Sequence, residues 1–239
     1  MQSVLALDIG NTRIKGLSFE EGRKKNRFHW KDWGAFADWT HEQDREWSVV
    51  AGSVGLKELS TKMLSDHIQF YQANTQWSVP VKLNYKTPES LGIDRLAAVV
   101  AAWEQFGEAC LIFDIGTCMT IDFVDHEGVY HGGNIAPGWK MRLRAMHEMT
   151  SNLPFAEADP TISLLGDSTN SALQAGAFHG ILLEMKAYVA TLKQRTELIN
   201  VILTGGDANE FAKKLKMEIF ALPDLVFEGL YKMLHAKLS

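Results

Sequence analysis

The sequence predicts an α/β protein built from two similar lobes, and two observations carry that expectation. The first is a near-repeat. Leu5-Ala-Leu-Asp-Ile-Gly-Asn-Thr12 is answered by Leu111-Ile-Phe-Asp-Ile-Gly-Thr117-Cys-Met-Thr120. Each is an apolar run into Asp-Ile-Gly, followed by small amide or hydroxyl side chains. The second is the order of elements: hairpin, strand, helix, strand, helix, restarting after Gly107. The lobes are therefore expected at 1–107 and 108–239.

Residues 2–9 read as a buried strand, 13–20 as its hairpin partner, and 26–31 as a third strand after a turn at Glu21-Gly22. Trp47–Val54 is a further strand. Residues 56–67 read as helical and Val79–Asn84 as extended. Residues 92–106 carry a long apolar helical pattern that stops at Gly107. In the second half, Ala109–Ile115 and Thr120–Val124 form a hairpin, and Gly132-Gly-Asn-Ile-Ala-Pro-Gly138 reads as a rigid loop before a helix at 139–149. Residues 168–195 are mostly helical. A strand at Asn200–Thr204 and helices at 207–216 and 224–237 complete the chain.

The 239 residues, 46% hydrophobic and 22% charged, have an ordinary globular composition with enough chain for a sizeable core. A net charge of −5 argues against a general nucleic-acid surface. The basic run Arg23–Arg27 reads as a hairpin turn. Cys110 and Cys118 lie near one strand and show no zinc spacing with the histidines, so a reducing compartment is expected and a structural disulfide is not. No apolar window approaches the roughly 18 residues of a membrane span, and no signal-peptide pattern opens the chain. These features predict a cytoplasmic protein with no membrane or nucleic-acid partner. The tryptophans of the first lobe read as packing residues.

Neither a P-loop nor a GxGxxG fingerprint is present. Any nucleotide must therefore meet the Asp-Ile-Gly loops. Glycine lets the backbone approach a phosphate, the loop N–H groups bind it, and the aspartate faces a cation. Around Asp8 and Asp114 stand Asn11, Thr12, Thr117 and Thr120, with Lys15 following in the first hairpin. A plain strand-end turn is the competing reading. Leu203-Thr-Gly-Gly-Asp207 offers a flat glycine platform suited to adenosine. Asp94 falls in the first turn of its helix, where it serves either as a cap for the backbone or as a general base beside an anion-binding Arg95. Thr169 opens another helix, as N-cap or as ligand contact.

In this order these pieces resemble the type III pantothenate kinases of the acetate and sugar kinase/Hsc70/actin superfamily. The most specific segments are Tyr85…Pro88…Gly92-Ile-Asp-Arg95, Phe113-Asp-Ile-Gly-Thr117 and Gly132–Gly138. The resemblance implies two RNase H-like lobes, a duplicated actin-like ATPase fold, with a nucleotide cleft between them. It implies ATP-dependent phosphorylation of pantothenate, the first step toward coenzyme A, by a homodimer that needs Mg2+ with ATP and either K+ or NH4+.

By position, Asp8, Ile9, Gly10, Asn11, Thr12, Arg13, Ile14 and Lys15 match the first phosphate loop, with Asp8 near the divalent metal. Asp94 matches the proton acceptor. Tyr85, Gly92, Ile93, Asp94, Arg95 and Thr169 match the pantothenate contacts. Asp114 matches the monovalent-cation ligand and Thr117 an ATP contact. Cys118 and Ile93 depart from the commoner family residues. Two other activities compete with this expectation: a kinase of the same superfamily acting on a sugar or another acid, and a non-catalytic nucleotide-binding protein that influences transcription.

Overall fold

Strand β1 (Ser3–Ile9) is the centre of the first sheet, and its Leu5, Ala6 and Leu7 have no exposure at all. Only a strand covered on both faces buries consecutive side chains in this way. The computed structural model describes residues 3–10, 13–53, 60–196 and 198–239. The chain divides into two compact units, Met1–Gln105 with Asp224–Ser239, and Phe106–Pro223.

In the first unit β1 pairs antiparallel with β2 (Ile14–Glu20), which pairs antiparallel with β3 (Arg23–Trp30). Helix α1 (Trp33–His41) follows, started by an Asp32 N-cap that accepts from the Ala35 N–H. Strand β4 (Trp47–Ser53) lies parallel to β1, and β5 (Ile68–Gln72) parallel to β4, giving the order β3-β2-β1-β4-β5. A short strand β6 (Lys82–Leu83) precedes α2 (Ile93–Phe106). Trp30, Phe36 and Trp47 are buried in the core, with Trp33 and Trp39 packed against them.

The second unit repeats the plan. Its central strand β7 (Cys110–Ile115) pairs antiparallel with β8 (Cys118–Val124), and β8 with β9 (Val129–Pro137). Helices α3 (Trp139–Glu148) and α4 (Thr169–Leu192) come next. Strand β10 (Asn200–Thr204) lies parallel to β7, and β11 (Phe220–Ala221) parallel to β10, with α5 (Ala208–Ala212) between them. The order β11-β10-β7-β8-β9 has the same connectivity as the first sheet: a hairpin on one side of the central strand, parallel partners on the other.

The last helix, α6 (Leu225–Leu238), departs from the expected boundary. The sequence reading assigned 108–239 to one lobe, whereas α6 packs over β1 and β4 of the first unit. Its buried Leu225, Leu230, Met233 and Leu234 supply the apolar face. Lys24 and Arg27 of β3 fix its start, at 2.6 Å to Glu228 and 2.7 Å to Asp224 respectively. The basic run 23–27 is thus an edge strand rather than a turn, and its charges suit an edge.

Other elements differ as well. Residues 129–137 form a strand, so the glycine-proline segment is not a loop, and only Gly138 stands at the start of α3. Of the helix expected at 56–67, residues 56–59 lie outside the described residues, and Thr61–Met63 form a single 3-10 turn. Helix α1 and strand β5 were not anticipated.

Candidate active site

Asp8 is the penultimate residue of β1 and stands at the carboxyl end of a central strand, where α/β sheets place their ligands. The hairpin register sets Lys15 directly opposite, and the parallel register sets Gly52 on the other side. The Gly10 N–H donates to the Arg13 carbonyl at 3.2 Å and closes the loop. Of the expected phosphate-loop residues, Asn11 and Thr12 lie outside the described residues. Ile14 is buried in the core and anchors the hairpin, Ile9 is half-buried and packs beside that core, and Arg13 is exposed. Burial pushes the Asp8 carboxyl above its ordinary range, Lys15 pulls it back, and the nearby Asp94 charge raises it again.

Asp94 is the second residue of α2. Its Oδ1 accepts the Arg95 N–H at 2.9 Å, one of the donors a helix start leaves unpaired. This hydrogen bond accounts for the capping reading of Asp94. Gly92 makes this conformation possible: a Cβ on it would overlap Asp94 Oδ1. Ile93 is buried and reaches Gly52, where a Cβ would lie 3.2 Å from its Cγ2. Gly52 therefore serves two contacts at once, register with Asp8 and close approach of the start of α2. Sequence reasoning missed it, although a glycine ending an apolar strand is a readable signal of close backbone approach. Arg95 is buried and Tyr85 half-buried in the segment leading to α2.

In the second unit Asp114 holds the equivalent place, penultimate in β7, with Thr120 opposite in the hairpin and Thr204 beside it on β10. Thr117 is exposed in the turn, and the Gly116 N–H donates to the Cys118 carbonyl at 3.0 Å. Three segments meet there. The Gly138 N–H donates to the Thr117 carbonyl at 3.1 Å, and the Asp207 N–H to the Ile115 carbonyl at 2.9 Å. Lys140 closes the group with a 2.7 Å ion pair to Asp207. Lys140 is not among the expected site residues. Thr169 is the exposed first residue of α4; the N-cap is Ser168, in a capping box with Ser171.

Among the described residues no three His, Cys, Asp or Glu side chains gather into a cation cage. A magnesium ion needs no such cage, because it keeps waters and substrate phosphates and takes only a carboxylate or two from protein. The Asp8 carboxylate, a hard-oxygen donor at the end of β1, is of the kind that such an ion takes.

The family model for type III pantothenate kinase matches residues 4–191. A type III pantothenate kinase of Bacteroides fragilis is 38% identical over 97% of both chains. Among solved structures, a Baf-family protein of Campylobacter jejuni, described as a transcriptional activator, superimposes with a TM-score of 0.66 over 97% of both chains at 22% identity. A protein of Cytophaga hutchinsonii described as a sugar kinase has a TM-score of 0.52 at 15% identity, over 98% of this chain and 99% of that one. These two likenesses speak for the fold, a duplicated two-lobe ATPase architecture. With most of its length matched by the family model and a full-length relative this similar, the chain belongs to the type III pantothenate kinase family.

Proposed function

We propose that the protein transfers the γ-phosphoryl group of ATP to the primary hydroxyl of pantothenate, forming 4′-phosphopantothenate, the first step of coenzyme A formation. Beyond family membership, the observation that carries this reading is that Asp94, at the start of α2, stands near enough to Asp8 at the end of β1 for its charge to raise the Asp8 carboxyl, with Lys15 in register opposite Asp8. Asp94 takes the proton of the attacking hydroxyl. The oxygen so freed attacks the γ-phosphorus in line. Lys15 and the first phosphate loop stabilise the charge that develops on the equatorial oxygens. Mg2+, when bound with ATP, neutralises the phosphate oxygens, and Asp8 is the residue we assign to face it.

Tyr85, Gly92, Ile93, Arg95 and Thr169 are assigned to pantothenate, and Thr117 to the nucleotide. Asp114 is assigned to K+ or NH4+, which supplies compensating positive charge. The active form is read as a cytoplasmic homodimer without nucleic-acid or membrane partners. No helix among the described residues is long and apolar enough to cross a membrane.

The test is a coupled assay of ADP release with and without pantothenate, in K+ and then in Na+. Pantothenate-dependent turnover that falls in Na+ is the expected result. ADP release indifferent to pantothenate, or a sugar phosphorylated in preference, overturns the reading.

A further inference from the structure

We propose that Gly205 is a positioning residue for the Asp114 carboxylate, which it holds in the orientation needed to bind a monovalent cation. The inference rests on the reading of Asp114 as the ligand of that ion. Gly205 directly follows β10, and the preceding residue, Thr204, is in parallel register with Asp114. Its φ of 92° lies in the left-handed region that L side chains rarely adopt. A Cβ at this position would overlap Asp114 Oδ1 and would stand 2.6 Å from both the backbone N and O of Ile115. Gly205 therefore abuts the carboxylate itself and the peptide that follows it, not core side chains.

Two further contacts show that the packing is deliberate in its placement. The Asp207 N–H donates to the Ile115 carbonyl at 2.9 Å, which ties the loop after β10 to the strand that bears Asp114. A Cβ on Gly116 would lie 3.9 Å from the same Oδ1, an ordinary contact, so the tight approach is made by Gly205. Gly206, next in the chain, has open space around it and an unexceptional φ. The steric requirement thus belongs to position 205 and not to a generally flexible loop. A cation held by hard oxygens is sensitive to such outer contacts, whose loss typically costs about 10- to 100-fold in affinity.

The experiment compares full-length wild type, Gly205→Ala, Asp114→Glu and Asp114→Asn. Each is titrated with KCl against choline chloride at constant ionic strength, with Mg2+ and a non-hydrolysable ATP analogue. The shift of the unfolding midpoint is read, and K+ activation and the pantothenate KM are measured in parallel. Gly205→Ala is expected to raise the half-saturating K+ concentration about 10- to 100-fold in both measurements while leaving the pantothenate KM unchanged. Asp114→Glu keeps the charge but pushes a longer side chain into the space beside Gly205, and is expected to behave likewise. Should Gly205→Ala fail to fold by circular dichroism, Asp114→Glu decides alone. A wild-type K+ response in Gly205→Ala or, in that case, in Asp114→Glu, beside a lost response in Asp114→Asn, overturns the positioning role and leaves the ligand assignment intact. A wild-type response in Asp114→Asn overturns the ligand assignment and the inference with it.

Discussion

Asp8 and Asp114 occupy the same place in their units, yet different groups face them. Each is penultimate in a central strand, with a hairpin on one side and a parallel strand on the other. The first hairpin leaves four residues, 10–13, between the paired Ile9 and Ile14; the second leaves three, 116–118, between Ile115 and Met119. Across the sheet Asp8 meets Lys15, and Asp114 meets Thr120. The first carboxylate also feels Asp94, while an oxygen of the second is closely approached by Gly205. A cationic side chain with two carboxylates suits phosphate with a divalent ion. A carboxylate beside a glycine and hydroxyls suits a weakly held monovalent ion. One duplicated scaffold thus carries two strand-end aspartates that differ in their cross-strand partners, in one residue of hairpin length and in the groups brought in by other elements.

The strongest way to break this comparison is Asp94→Asn. We expect kcat to fall about 10²- to 10⁴-fold with an unchanged unfolding midpoint. Near-normal turnover would remove the base from the first site. Gly92→Ala comes next. Its Cβ would displace the Asp94 carboxylate without removing it, and a displacement near 1 Å costs about 10²-fold in rate. Steady-state kinetics should show the loss in kcat, and an effect confined to the pantothenate KM would instead make Gly92 a simple substrate contact. Asp8→Asn and Asp114→Asn then sharpen the contrast. The first should weaken the response to Mg2+ and the second that to K+, each about 10- to 100-fold. Titrations in which both variants lose the same cation would dissolve the distinction between the hairpins.

Much of this arrangement is legible in the sequence, for physical reasons that can be named. The two central strands are continuous apolar runs into Asp-Ile-Gly, and the Leu96–Ala102 run with Gly107 after it announces α2. Helix α1 escaped because its aromatic residues match strand preferences, although the Asp32 cap was there to be read. Strand β9 escaped because paired glycines and a proline mimic a loop, whereas a sheet accepts the glycines beside a shift in pairing register and the proline as the last residue of the strand. The placement of α6 is a tertiary matter, decided by apolar contact and by the Lys24 and Arg27 ion pairs, and no local pattern encodes it. At the site, the carboxylates were readable as residue types. The steric part played by Gly52, Gly92 and Gly205 was not, because it depends on which atoms converge on them.

A smaller effect concerns Asp8 in the absence of metal. Its carboxyl is raised in the folded state, first by desolvation, with Lys15 opposing and Asp94 adding. A carboxyl that binds its proton more tightly when folded contributes full stability below its unfolded value of about 4, and that contribution is lost as pH rises through the raised value. At neutral pH in a chelator the ionised Asp8 therefore weighs against folding. Asp8→Asn should melt at a higher temperature than wild type there, and the gap should close as the pH falls toward about 4. A variant less stable than wild type at neutral pH would show that the Lys15 attraction outweighs burial.

The gentlest probe uses cysteine, because both thiols belong to the second hairpin and neither to the first. Cys110 is fully buried at the start of β7, and burial pushes its thiol up to about 12. At pH 8 its thiolate fraction is then on the order of one in 10⁴, and its sulfur has no path to solvent. Cys118 is half-exposed and directly follows Thr117 in the turn. An alkylating reagent should therefore label one thiol per native chain and two per unfolded chain. If Thr117 contacts nucleotide, ATP with Mg2+ should slow the native reaction severalfold, while pantothenate alone should leave its rate unchanged. Two rapid equivalents in the native protein would contradict the burial of Cys110. An ATP-indifferent rate would take Thr117 off the nucleotide and leave the second hairpin with its cation alone.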